Sequence, residues 1–288
     1  MKYACIEEHR QEFLVIALCR VLEVGRSGYY AWRKAAPSER SMADLALRKE
    51  IVRMHSRHRY APGALKLWIL LNREGTVCGK HTVARLRKVE GLEAHRKIRF
   101  RVMQAHQNSE PPAPDLVKRA FNVAVPNQVW VGDMTAVRTR QGWLHLAIVL
   151  DLYARRVVGW SMDVTQAASL PIAALKMAIA QRRPSAGLIC HTDQGTVYGS
   201  TNYRAVLAVH ALLPSMSRRG NCHDNAVAES FFSSLKNEIT HERMFTTRDE
   251  ARSVISDYIE VYYNRMRLHQ TLGYRTPAEV EASYKVLH

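Results

Sequence analysis

Cysteine is scarce in this chain of 288 residues: Cys5, Cys19, Cys78, Cys190 and Cys222 are scattered, odd in number and form no CxxC pair. That pattern argues against a disulfide framework and for a reducing compartment. Long apolar runs are missing as well, because Arg or Glu interrupts every candidate stretch, and the amino terminus lacks a signal pattern. A bilayer-spanning helix is therefore excluded on sequence grounds, and a cytoplasmic protein with no membrane partner is expected. No internal repeat or low-complexity tract is present.

Acidic residues are the other deficit. The 26 Asp and Glu face 42 Lys and Arg, a formal charge of +16, and the isoelectric point is near 9.9. A field of this sign favours polyanionic partners. Charge alone would also suit a merely soluble basic protein, but its distribution is uneven. Between residues 85 and 101 stand seven basic residues, Arg85, Arg87, Lys88, Arg96, Lys97, Arg99 and Arg101, against Glu90 and Glu93. Such a concentration suits phosphate contacts. Apolar supply is ordinary, at 47% hydrophobic and 24% charged, so a folded core is expected. The length suits a catalytic domain with smaller modules.

The first third reads as helical. Glu12–Leu22 carries helically spaced apolar residues, Val24-Gly25-Arg26 forms a turn with Gly25 relieving it, and Ser27 is placed to cap a second helix through SGYYAWRK. This pattern fits a helix-turn-helix, or equally a plain helical hairpin. A second unit follows over Leu45–Met54, Gly63–Leu71 and His81–Glu90. In its last helix Val83 and Leu86 can face a core while Arg85 and Lys88 project toward DNA. A solvated basic helix is the plainer alternative; two such units and a basic tract in one third of the chain favour DNA. The expected DNA-binding region is thus 1–103. Pro111, Pro112, Pro114 and Pro126 in a polar setting mark a linker over 104–127.

Beyond it the periodicity turns to strands: Val129–Val137, Trp143–Leu152 and Arg156–Met162, joined by turns at Gln141-Gly142 and Ala154-Arg155. A helix over Ser169–Gln181, a strand ending in Ile189-Cys190-His191, a helix over Asn202–Ala211, a strand near Leu212–Met216 and a helix from near Asp224 complete the series. The predicted fold is α/β: a ribonuclease H-like mixed five-stranded sheet flanked by helices, over 128–240, with a helical extension over 241–288.

Three acids stand out. Asp133 lies inside the first strand, where alternation puts it on one face with Val129 and Val131. A half-buried charge there is costly unless paired or bound to a cation. Asp193 follows an apolar strand, at the edge where α/β sites form. Glu229 lies on the last core helix, with Asn225 and Lys236 on roughly the same face and Phe231 and Leu235 as anchors. Taken singly, each acid fits a cap, an ion pair or a solvent-facing charge. Together they are more specific, because 35 residues separate Asp193 from Glu229 and a lysine follows seven positions later.

This spacing resembles the Asp, Asp-35-Glu pattern of retroviral integrases and of the second-frame transposases of insertion sequences. The likeness extends through CRVLEVGRSGYYAW, VWVGDMTAV, DLYARRVVGW, HTDQGTVY, SMSRRGNCHDNAVAESFFSSLKNE and YIEVYYNRMRLHQTLGYRTPAE, nearly the whole chain. Its departures are modest: Met134-Thr135-Ala136-Val137 follows the first Asp, and RYAPGALKL replaces a more basic stretch. The resemblance implies that Asp133, Asp193 and Glu229 ligate two Mg²⁺ or Mn²⁺ ions, with Asp133 bridging, and that Asn225 and Lys236 support the site or contact DNA. It implies hydrolysis at element ends to free a 3′-OH, then attack of that hydroxyl on target DNA. Terminal inverted repeats, target DNA, further copies of the chain in a synaptic complex and an upstream-frame fusion product would be its partners, at the nucleoid.

Asp151, a further core carboxylate, reads as structural. Tyr262 and Tyr263 read as packing or DNA contacts, not nucleophiles. His55, His58, Cys78 and His81 could suit zinc, but so short a coincidence carries little among 13 histidines. A ribonuclease H-like nuclease and a DNA-binding regulator with an inactive core are the competing functions. The presence of all three acids weighs against the regulator, and the helical units before the core weigh against the nuclease.

Overall fold

The computed structural model describes residues 2–36, 38–94, 112–217, 225–239 and 244–287. Arg96 and Lys97 of the basic tract, and Asp224 at the expected helix start, lie outside them. Contacts divide the chain into two compact units, Met1–Ile51 and Val52–His288.

In the first unit, α1 (Lys2–His9), α2 (Val15–Val21) and α3 (Arg26–Lys34) enclose a small core of Ile6, Cys19 and Tyr29. Three local expectations are corrected. α2 begins at Val15, not Glu12, because the Glu12 and Phe13 amides fold back on His9 O. Ser27 lies inside α3 and is not its cap; Gly25 holds that position in extended conformation and with no side-chain bond. The residue that relieves the turn is Glu23, at φ 51°. Its amide bonds Arg20 O and that of Val24 bonds Cys19 O, the double closure that ends many helices.

The chain passes through α4 (Glu39–Arg57) into the second unit, where α5 (Ala64–Arg73) packs on α6 (Lys80–Val89). Val83 and Leu86 are buried and Arg85 and Lys88 exposed, as the spacing predicts.

The sheet holds β1 (Val129–Thr139), β2 (Gly142–Asp151), β3 (Arg156–Asp163), β4 (Ile189–Thr192) and β5 (Leu213–Met216) in the order β3-β2-β1-β4-β5. The first three form an antiparallel meander, while β4 and β5 add in parallel. That is the ribonuclease H-like topology expected from the sequence. Gly142, at φ +105°, turns β1 into β2. On one face α7 (Ser169–Arg182) and α8 (Thr201–Val209) pack on Trp130, Ala147 and Val149. α7 lies so close that a Cβ on Gly159 would stand 2.2 Å from Ala174 O. On the other face Val129, Val131, Val137 and Leu144 meet α9 (Ala226–Ile239) and α10 (Arg248–Asp257).

After α10 a π-helical segment, Tyr258–Tyr263, buries three tyrosines in that same core, and Tyr262 donates to His58 O at 3.0 Å. Asn264 clasps edge strand β3: its Oδ1 accepts from Val157 N and its Nδ2 donates to Val157 O, each at 3.0 Å. Helix α11 (Pro277–Leu287) is tied down through Glu281, which pairs with Arg156 and Arg182. Asp151 joins this network as a structural acid, accepting from Asn127 N at 2.8 Å and Tyr153 N at 2.9 Å. Among the described residues no helix is long and apolar enough to cross a membrane.

Candidate active site

Strand alternation aims Asp133 at the α9 side of the sheet, the side of Val129 and Val131, while Trp130 and Met134 point the other way. The parallel register of β1 on β4 pairs Val131 with His191. Two residues further along each chain come Asp133 and Asp193, so the two carboxylates leave neighbouring strands side by side. His191 is buried just behind, its Nδ1 2.9 Å from Ser215 Oγ, which also accepts from Leu116 N at 2.9 Å. These bonds fasten β4, β5 and the incoming segment together beneath Asp193.

The third acid, Glu229, lies in the first turn of α9, where the helix dipole favours a carboxylate. Phe231 and Leu235 anchor α9 in the core, and Lys236 follows two turns after Glu229, half-buried. Asn225 is buried immediately before the helix, and among the described residues its Oδ1 has no hydrogen-bond partner.

Electrostatics join these residues. Burial lifts the Asp133 carboxyl well above the usual range; the negative charges of Asp193 and Glu229 lift it further, while the Met134 amide and Lys236 oppose the rise. Asp193 is raised by burial and partly relieved by the Gly195 amide. Lys236 is lowered by burial, against the pull of Asp133. Among the described residues the arrangement is thus a group of acids with one lysine acting on them. Asp133 Oδ1 accepts from Met134 N at 2.7 Å and Asp193 Oδ1 from Gly195 N at 2.9 Å. Among the described residues no group of three or more His, Cys, Asp or Glu side chains stands close enough to hold a metal ion as it is.

Sequence reasoning overlooked Tyr198. It is buried in the turn after Asp193, and its hydroxyl, raised by burial and by Asp133 and Asp193, has no hydrogen-bond partner among the described residues. Its place in HTDQGTVY, five residues after the acid, was the available signal.

Three family models match segments of the chain. The Integrase core domain model matches residues 124–222, a second Integrase core domain model matches 210–277, and an HTH-like domain matches 42–100. The insertion element IS600 uncharacterized 31 kDa protein of Shigella sonnei is 42% identical over 267 residues, covering 93% of this chain and 98% of that protein. Transposase InsF for insertion sequence IS3A of Escherichia coli (strain K12) is 39% identical over 283 residues, 98% of each chain. Among solved structures, the HTLV-2 integrase catalytic core domain in complex with magnesium aligns with TM-score 0.42 and 17% identity over 55% of this chain and 97% of that one. The simian T-cell lymphotropic virus intasome in complex with PP2A regulatory subunit B56 gamma aligns with TM-score 0.46 and 18% identity over 80% of this chain and 74% of that one.

Proposed function

This chain belongs to the insertion-sequence transposases with an integrase core, and on that premise we propose that Asp133, Asp193 and Glu229 are the metal ligands of its phosphoryl-transfer site. The enzyme is a polynucleotidyl transferase. The observation that carries the site assignment is the buried Asp133 carboxyl, raised by burial and by both other acids, with Lys236 opposing them.

The donor set fits a divalent ion. Clustered carboxylates in a half-buried site need positive charge, and an all-oxygen set selects hard cations such as Mg²⁺ or Mn²⁺. With Oδ1 of both aspartates engaged by backbone amides, Oδ2 is the oxygen each would offer. When bound, a pair of such ions supplies Lewis-acid stabilisation to the attacking and leaving oxygens of an in-line displacement. Lys236 offsets the charge of Asp133 and would contact a phosphate of bound DNA. Asn225, at the start of α9, has an acceptor to offer a sugar or base donor.

The reaction is water attack at an element end, freeing a 3′-OH, followed by attack of that hydroxyl on a target phosphodiester. In the second step a new P–O bond forms as the target strand's 3′ oxygen leaves and takes up a proton. No protein side chain enters a covalent bond. Residues 1–103 bind the terminal repeats in this reading, through exposed Arg85 and Lys88 and onward through Arg96 and Lys97, and 128–240 holds the chemistry. Copies of the chain pair two ends in synapsis, and the upstream-frame product adds further DNA contacts.

The test uses labelled element ends with Mg²⁺ or Mn²⁺, following 3′-end cleavage and strand joining by the full chain and by Glu229→Gln, with and without the upstream-frame fusion. Both steps are expected for the wild type and neither for the variant. Cleavage without joining would favour a nuclease, and DNA binding with no metal-dependent chemistry would favour a regulator with an inactive core.

A further inference from the structure

The hairpin that joins β1 to β2 carries cationic and aromatic side chains that the acidic site does not use. β4 pairs with β1 no further than Val131, whereas β1 runs on to Thr139. The hairpin therefore projects from the sheet at the end where Asp133 and Asp193 stand. Its turn is tied down: Gln141 N donates to Thr139 Oγ1 at 3.1 Å, Thr139 Oγ1 donates to Gly142 O at 2.7 Å, and Arg140 N donates to Phe245 O at 2.9 Å. Arg138 and Trp143 are cross-strand partners, so both side chains leave the sheet on one face, and the Arg138 guanidinium stands 5.9 Å from the indole centroid. Trp143 is nevertheless 51% exposed, which is uncommon for so large an apolar ring. Arg248 arrives from the start of α10: its Nε donates to Trp143 O at 3.2 Å, and a Cβ on Gly142 would stand 3.0 Å from its Nη2.

A cation–π pair across two strands accounts for Arg138 as sheet stabilisation. It does not account for exposed Arg140, or for Arg248 at the same turn. Among the described residues none of these three arginines is paired with a carboxylate. Asp163, opposite His145 in the register, is engaged by Thr165, and Asp249, next to Arg248, by Arg252. Guanidinium groups gathered without an acid suit anionic oxygens, and a half-exposed indole beside them suits a flat aromatic surface. An unpaired nucleotide offers both, a phosphate and an open base face. We propose that the hairpin between β1 and β2 is a contact for a single-stranded DNA tail at a strand end, with Trp143 stacking on a base and Arg138, Arg140 and Arg248 meeting the phosphates around it. The proposal rests on the reading of the acids as the strand-transfer site, which brings free DNA ends to this end of the sheet. Arg138 follows Asp133 by five residues of strand, about 17 Å, so the stacked base lies a few nucleotides from the reacting phosphate.

The probes are labelled element-end duplexes, blunt or carrying a short single-stranded tail, whose binding to the full chain is read by fluorescence anisotropy in chelator. Wild type is expected to bind the tailed duplex more tightly. Trp143→Ala should lose that preference, its dissociation constant for tailed DNA rising on the order of ten-fold while that for blunt DNA stays the same, and Trp143→Tyr should restore it. Arg138→Gln combined with Arg140→Gln should weaken tailed binding and flatten its salt dependence. Equal binding of both duplexes by wild type, or an unchanged preference in Trp143→Ala, would overturn the stacking contact. An unchanged salt dependence would overturn the part given to the arginines. Weaker binding of both duplexes by Trp143→Ala, together with a lower unfolding temperature, would mark the ring as packing and also overturn the contact. End-joining assays on the same preparations separate this contact from the reading beneath it. Normal joining by Glu229→Gln would overturn the assignment of the acids, whereas loss of joining in Glu229→Gln with no tail preference in wild type would overturn the hairpin contact alone.

Discussion

Gly195 stands so close to Asp193 that a Cβ built on it would lie 2.9 Å from the carboxylate Oδ1, the atom that accepts the Gly195 amide N–H at 2.9 Å. A side chain at 195 and the present carboxylate orientation are incompatible. The turn after β4 therefore holds the acid from the backbone side, leaving the opposite oxygen for the site.

Gly195→Ala should accordingly reduce strand joining by about a hundred-fold, the usual consequence of moving a reacting group by about an ångström. Metal-free unfolding should change little, since Gly195 sits at intermediate exposure outside any helix or strand. End-joining rates and calorimetric melting of the same preparation check both halves. Wild-type joining would show that Asp193 needs no such support.

The Asp133 carboxyl makes stability depend on pH. Its folded value is raised above the unfolded value of about 3.9, so the stability it contributes is fully present below about pH 4 and lost as pH rises through the folded value. At neutral pH the metal-free protein carries the cost of a desolvated carboxylate. Asp133→Asn should then melt higher than wild type at pH 7 without metal, by on the order of 1–3 kcal/mol, and the gap should close near pH 3. Mg²⁺ should stabilise the wild type and not the variant. A variant that melts lower at pH 7 would contradict this account.

On α6, Arg85 and Lys88 are exposed beside buried Val83 and Leu86. Replacing both by Ala should weaken binding to any DNA sequence, and the slope of log affinity against log salt should fall by about one for each phosphate that is no longer neutralised. Fluorescence anisotropy across a salt series reads this. An unchanged slope would place the DNA path elsewhere.

Arg267 and Glu238 form a largely buried pair at 2.8 Å, to which Tyr258 adds a hydroxyl bond at 2.9 Å. Glu238→Ala would strand the guanidinium, and such losses are worth about 3–5 kcal/mol. Denaturant unfolding should reveal it, with a smaller loss in Glu238→Ala combined with Arg267→Met. Equal losses in the single and double variants would mean the pair itself matters little.

Much of this molecule can be read from its chain. Alternation in VWVGDMTAV placed Asp133 on the α9 side, and the spacing of Phe231 and Leu235 against Glu229 and Lys236 placed α9's anchors inward. Strand and helix order sufficed for the sheet. The misreadings were local. Ser27 has the chemistry of a cap, but Gly25 was already extended and α3 had begun at Arg26; Glu23 took the left-handed turn that a glycine usually takes. Asn264 and Tyr198 gave no periodic signal, because each answers to a partner far away in the chain: one to Val157 on edge strand β3, the other to Gly132 on β1.

By itself the sequence determined the elements, their burial faces and the acidic, basic and aromatic residues available for chemistry, since periodicity and composition act over a few neighbouring residues. Only the tertiary structure decided which of those residues share a site. The register of β4 on β1 set Asp193 beside Asp133, and the packing of α9 on the sheet brought Glu229 and Lys236 to them. Pairing between strands some sixty residues apart depends on the whole core closing at once, and the shifted acid–base behaviour follows from the burial that this closure produces.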